Sequence, residues 1–351
     1  MKLTIKAVRD YRDEPVLYRT EEKAGQIRSA KAADGRVFPA GQTDEGILVI
    51  ATLARGEEIE LETSADACRQ DVEVTSLPDS SRVSVKIGGK PFTEYVYDTQ
   101  FCKPYLGPVL AADGKTSYTR MDLTAKEHPH QRSIICAIGD INDIDFWNEY
   151  GNYGYERQKK LLRAEGNAAA GVIEASIVWQ DKDGVPQWDE IRKFTVYNQG
   201  QDCRYLDAEF KFTAAYGDVV IGPTKEAGPL GIRMNEQLNV DHGTGFIFNA
   251  YGAENESECW GKSASYCAYN GTIDGHLYGI AVFDNENNIQ YPTAWHVRNY
   301  GLFAANNFYF KGGMTLKKGQ TLTYRYRIVF YEGEQVNLAD RFNSYEAFIK
   351  E

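Results

Sequence analysis

Gly171-Val-Ile-Glu-Ala-Ser-Ile-Val-Trp-Gln180, then Asp181-Lys-Asp-Gly184, then Ile191-Arg-Lys-Phe-Thr-Val-Tyr197, is the stretch that decides the fold of this chain. Both flanks are rich in β-branched and aromatic residues, which fit a pleated, half-buried surface, and a polar turn sequence separates them. The pattern predicts two strands meeting as an antiparallel pair.

The same period of two runs outward in both directions. Residues 205–213 alternate, with Leu206, Ala208, Phe210 and Phe212 on one side. Residues 47–53 and 58–63 read as strands joined at Arg55-Gly56, and 83–87 and 93–97 flank Gly88-Gly89, a strong hairpin signal. Further strands are expected at 277–283, 294–304 and 321–331. Helix is scarce: 340–350, with Phe342, Tyr345, Phe348 and Ile349 at helical spacing, is the main one, and 158–164 a second. With 23 Tyr, 16 Phe, 5 Trp and 32 Gly, the composition is that of an all-β protein. We expect an antiparallel β-sandwich or supersandwich with few short helices and a C-terminal helix. A break near Leu110-Ala-Ala-Asp-Gly114 divides strands of residues 1–109, either a small module or part of the same sandwich, from a main sandwich over 110–351.

The chain has 351 residues, with 39 Lys and Arg against 50 Asp and Glu, a formal charge of −11. It lacks the basic face of nucleic-acid binders. No apolar run approaches the roughly 18–20 residues that span a bilayer, and the first residues alternate charged and apolar without a secretory core. A cytoplasmic protein without membrane or nucleic-acid partners is expected. The six cysteines, spread without a CxxC pair, read as reduced, mostly buried thiols.

Chemistry concentrates in four segments. In Lys126-Glu-His-Pro-His-Gln-Arg-Ser133, the residue before proline favours extended backbone, which would project His128, His130 and Arg132 to one side. The two histidines suit acid–base work and equally suit two ligands of a divalent metal such as Zn, Mn or Ni. In Trp295-His-Val-Arg-Asn-Tyr300, a strand would put His296, Arg298 and Tyr300 on one face and Trp295 on the other. Gly228-Pro229 would turn the chain between Lys225-Glu226, where Glu226 is a base or metal ligand, and Arg233 on the outgoing strand. Asp145 and Trp147 offer a carboxylate beside an indole face, the mixture that sugar sites use. Walker, dinucleotide, G-x-S-x-G and H-E-x-x-H signatures are absent.

Taken in order, Lys103-Pro-Tyr-Leu106, Thr119-Arg120, His128-Pro-His130 with Arg132, Asp145-Phe-Trp147, Lys225-Glu226, Gly231-Ile-Arg233, Trp260-Gly-Lys262 and Trp295–Phe303 resemble a bacterial family often labelled "methane oxygenase PmoA". The resemblance covers roughly residues 100–335, and Trp-His-x-Arg is its most specific part. Where that family reads Asp-His-Pro-His-His-Arg-Gly, this chain has Glu127, Gln131 and Ser133, so a mechanism needing the third histidine does not carry over. The label itself conflicts with the lack of a spanning segment. The resemblance implies a β-sandwich similar to galactose-mutarotase-like supersandwiches and adds Arg120 to the substrate-binding set.

The expected function is a carbohydrate-active enzyme that acts on a sugar or keto-glycoside by acid–base elimination or hydrolysis. His128, His130, Glu226 and His296 are the catalytic groups. Arg120, Arg132, Asp145, Trp147, Lys225, Arg233, Trp295, Arg298 and Tyr300 would bind substrate. A separate sugar oxidoreductase in the same pathway would perform any oxidation, because no nucleotide or flavin signature is present. The alternatives are an aldose-1-epimerase-like mutarotase and a non-catalytic sugar-binding module.

Overall fold

The hairpin over 171–197 forms as its pattern predicts. Strands Ala170–Gln180 and Pro186–Tyr197 pair antiparallel, with Ile173 opposite Phe194 and Trp179 opposite Trp188. Opposed residues share a face, so the two indoles meet edge to face with centroids 5.4 Å apart. The computed structural model describes residues 1–22, 25–122, 125–200, 203–226, 228–333 and 336–350.

The hairpin lies within an eight-stranded antiparallel sheet, ordered Tyr155–Gly166, Ala170–Gln180, Pro186–Tyr197, Cys203–Thr213, Thr321–Gly333, His276–Asp284, Tyr266–Ile273 and Phe246–Asn249. A second eight-stranded sheet runs Trp295–Arg298, Leu302–Ala305, Leu230–Arg233, Ile134–Cys136, Tyr105–Leu106, Lys90–Val96, Arg82–Ile87 and Val72–Leu77. Their inner faces share one core, in which Ile134, Cys136, Ile232, Trp295 and Phe303 pack with Trp179, Phe194, Phe210, Phe212 and Ile328. This is the expected all-β antiparallel sandwich. Buried within it, Arg192 donates to Glu190 (2.7 and 2.8 Å) and Glu156 (2.7 Å), and the Trp179 indole N–H also reaches Glu190 (2.7 Å).

Six strands between Lys2 and Ser64 form a further sheet around their own cluster, including Leu3, Ile5, Ile47, Val49 and Leu61. Leu48 and Ile50 of Gly46–Leu53 point the other way. They join Tyr197, Tyr205 and Val329 on the outer face of the first sheet, which the C-terminal helix Leu338–Lys350 covers through Phe342 and Tyr345. No helix among the described residues is long and apolar enough to cross a membrane. The six cysteines are free; four are buried, Cys102 is half-buried and Cys68 is exposed.

Four local expectations need correction. Residues 158–164 are strand, because Tyr155–Gly166 finds a partner along its whole length in Ala170–Gln180. Residues 294–304 are two strands rather than one: Gly301, at φ 103°, turns the chain so that Trp295–Arg298 folds back on Leu302–Ala305. The strands flanking Arg55-Gly56 do not pair with each other; each finds partners elsewhere in the six-stranded sheet. The fourth concerns 126–133, described with the site.

Candidate active site

The second sheet has one face in the core and another outside it. Antiparallel register places Tyr105, Ile135, Gly231, Ala304 and His296 side by side across neighbouring strands. Tyr105, Ile135 and Ala304 belong to a small cluster on this outer face, together with Trp147. The alternation of Trp295-His-Val-Arg holds here: Trp295 and Val297 enter the core, while His296 and Arg298 point outward.

Loops 126–131, 148–150 and 225–226 close over this face and leave a cleft of about 540 Å³. Lining it are His128, His130, Glu226 and His296, all four expected catalytic groups, together with Lys225, Arg298 and Tyr300. Lys126, Gln131, Asn148, Glu149 and Tyr150 also line it and were not singled out by sequence.

The loop 126–133 is not extended. His128 has φ 46°, Gln131 N–H bonds back to the His128 carbonyl (3.0 Å), and the segment folds as a turn. Long-range contacts override the pre-proline preference. Arg120, nearly fully buried, donates to the backbone carbonyls of Glu127 (2.9 Å) and His128 (3.1 Å). Arg120 and Arg233 each donate to Glu127 Oε2 (2.8 Å), and both reach Glu236 (3.1 and 3.3 Å). Arg233 also donates to Gln131 Oε1 (2.9 Å). These two arginines therefore hold the loop rather than a ligand. The His128 ring stacks on Tyr300, centroids 4.8 Å apart and 4° from parallel, and meets His130 edge-on at 5.9 Å.

Other expected binding groups are likewise committed. Arg132 grips Glu149 through both terminal nitrogens (2.6 and 2.8 Å), and Lys103 adds a bond to Glu149 (3.2 Å) and one to the Trp147 carbonyl (3.1 Å). Burial alone would raise the Glu149 carboxyl, but the Arg132 bonds and the two cations reverse this and hold it at about 2. Asp145 accepts from the Trp147 and Asn148 backbone N–H groups and from the Asn148 amide, each at 2.8 Å, so it braces its own loop. Trp147 is buried against Gly231. Trp295 lies in the core, and the Trp295 indole N–H donates to the Ala264 carbonyl (2.9 Å). Neither indole offers a face to a ring in the cleft.

What remains for chemistry is a compact set. His296 is 3% exposed, and its Nδ1 has no hydrogen-bond partner among the described residues. Burial first, then the charges of Arg298 and Lys225, lower its pKa to about 4. His130, 5% exposed, is lowered to about 4 by burial and then by Lys103. Both rings are therefore neutral at pH 7. Glu226 lies 3.3 Å from Lys225, and Arg298 lies 2.8 Å from Glu256. Burial raises the Tyr300 hydroxyl pKa, so it stays protonated.

Two buried groups position the 225–226 loop. Asn306 donates its amide to the Lys225 carbonyl (2.7 Å), and Gly139 leaves room for the Glu226 carbonyl. A Cβ on Gly139 would fall 2.1 Å from that oxygen. Gly139→Ala is thus expected to displace Glu226 and to cost about 1–3 kcal/mol in thermal or denaturant unfolding. Unchanged stability would contradict this packing.

The buried histidines also set a pH dependence of stability. Their folded pKa lies below the ordinary 6.5, so the unfolded chain takes up protons that the folded chain refuses. Stability is full above about pH 6.5 and is lost as pH falls toward 4, by on the order of 3 kcal/mol per ring at the limit. Urea titrations at pH 7.5 and 5 read this, and a His130→Gln, His296→Gln double variant should flatten it.

Among the described residues no three His, Cys, Asp or Glu side chains gather to hold an ion, and His128 Nδ1 is engaged by Glu127.

Residues 82–343 match the model of a family of unknown function, DUF6807. No curated protein matches the sequence. Among solved structures the chain is similar to a galactose 1-epimerase from Lactobacillus acidophilus NCFM (8% identity, TM-score 0.36, covering 76% of this chain and 100% of that one). It is also similar to a GalM/aldose epimerase homologue from C. elegans (7% identity, TM-score 0.32, covering 76% and 100%). A third similar structure is a polysaccharide lyase (11% identity, TM-score 0.30), of which this chain spans 33% while 77% of this chain is covered.

Proposed function

The chain belongs to the DUF6807 family of unknown function, and we propose that its cleft is the active site of an enzyme that moves protons on a small carbohydrate. One observation carries this reading: His296 is a buried, neutral imidazole on a cleft wall that it shares with Arg298, Lys225 and Glu226. An unprotonated imidazole beside cationic groups suits a base.

The substrate class follows from the lining. Imidazoles, two amides, a guanidinium, two ammonium groups, carboxylates and phenols suit a ligand with many hydroxyls and a carbonyl. A keto group acidifies the adjacent C–H. His296 takes that proton, Arg298 stabilises the enolate oxygen, and the enolate then expels the glycosidic oxygen one carbon further on. His128, His130 and Glu226 are further titratable groups on the wall. Arg132 has both terminal nitrogens on Glu149, whereas Arg298 meets Glu256 through Nε, so Arg298 is the better placed of the two for the oxyanion.

Proton NMR of the purified protein with native sugars and 3-keto-glycosides tests the reading. Release of an aglycone with an unsaturated keto sugar is expected. Accelerated anomer exchange alone would replace elimination with epimerisation. Line broadening without chemical change would reduce the protein to a binding module.

A further inference from the structure

Glu127 and His128 break two local rules together. A non-glycine residue at φ 46° is uncommon, and one directly before proline more so. Strain of this kind persists where surrounding contacts over-determine it, and it gathers at functional sites. Here those contacts all serve one geometry. Glu127 Oε1 is hydrogen-bonded to His128 Nδ1. Glu127 Oε2 is clamped by Arg120 and Arg233 (2.8 Å each), so the carboxylate cannot swing away. Tyr300 lies parallel beneath the imidazole at 4.8 Å and is itself seated 4.8 Å from the Arg233 guanidinium. The ring's position and rotation are thereby fixed, and it lines the cleft opposite the sheet that carries His296.

We infer that Glu127 and His128 form a carboxylate–imidazole dyad in which Glu127 fixes the Nδ1–H tautomer, so that His128 Nε2 exchanges protons with the substrate. This rests on the acid–base reading above and adds Glu127 as a positioning residue. In the elimination, His296 takes the C–H proton, the C–O bond to the leaving group breaks, and the Nε2–H of protonated His128 passes its proton to the departing oxygen. His128 is left neutral with Nδ1–H still donated to Glu127. Both rings then reset by proton exchange with water. No oxidant or reductant is required.

The dyad can be tested without any substrate. Long-range ¹H–¹⁵N spectra of histidine-labelled full-length protein, with His128 assigned by a His128→Gln variant, report the ring tautomer at a pH where the ring is neutral. Wild type is expected to show Nδ1–H, and Glu127→Gln should shift His128 toward Nε2–H, the form free imidazoles prefer. Nε2–H in wild type, or a tautomer indifferent to Glu127→Gln, would overturn the dyad whether or not any sugar is turned over. With a working substrate, His128→Ala and Glu127→Gln should each lower kcat by about 10²-fold or more with KM little changed. Glu127→Asp should recover part of the loss. Full kcat in both variants would equally overturn the proposal.

Discussion

Replacing His296 with alanine is expected to lower turnover by about 10²- to 10⁴-fold, the usual contribution of a positioned base, while leaving the fold intact. The side chain sits on the outer face of the sheet, and its nitrogen bonds to nothing among the described residues, so its loss breaks no described hydrogen bond. The pH profile should agree. With the ring pKa at about 4, the acid-side fall in activity should come only below about pH 5, as the base becomes protonated. A rate that falls instead through pH 6.5 would mean that an unburied histidine limits the reaction.

The second large effect lies beneath the site, in the core. Arg192 is fully enclosed and neutralises a buried pair, Glu190 and Glu156, while also donating to the Pro104 carbonyl (3.3 Å). Burial raises the Glu156 carboxyl to about 8, so the cluster already keeps few charges. Arg192→Met removes the only cation bonded to these two carboxylates among the described residues. The expected cost is about 3–5 kcal/mol, a large part of a typical total of roughly 5–15 kcal/mol. Chemical denaturation would read it. Adding Glu190→Gln and Glu156→Gln should recover much of the loss, because the penalty comes from stranded charge rather than lost volume. A neutral Arg192→Met alone would show that water reaches the cluster.

Local pattern explains why the sandwich was legible. Strands 171–180, 205–213 and 321–331 each send one alternating set of apolar residues into the core between the sheets, and a period of two is the direct imprint of that burial. The pattern failed where partners rather than propensity decide. Residues 158–164 carry a weak helical spacing that ladder pairing overrides, and a single positive-φ glycine, Gly301, splits a run of strand-forming residues.

The cleft was legible in part for a related reason. His296 and Arg298 could be placed on one face because strand alternation is local. The loop of His128 could not, since its shape is imposed by Arg120 and Arg233, the latter more than 100 residues away in sequence. Glu149 carries no motif, and Glu127 stands in one only as a departure from aspartate. Their roles arise only once Arg132, Lys103, Arg120 and Arg233 are seen to converge on them. The tryptophans misled because an indole in a site motif looks the same whether it faces a ligand or, as Trp295 does, the core.

In the proposed reaction His296 removes a carbon-bound proton from a keto sugar. Deuterium exchange tests it most directly: a 3-keto-glycoside is incubated in D₂O with wild type and with His296→Ala, and the C–H signal beside the carbonyl is followed by NMR. Rapid loss of that signal is expected with wild type, at the same rate as or ahead of aglycone release, and background loss with the variant. Equal exchange in both proteins, or aglycone release with the C–H signal fully retained in the product, would contradict it.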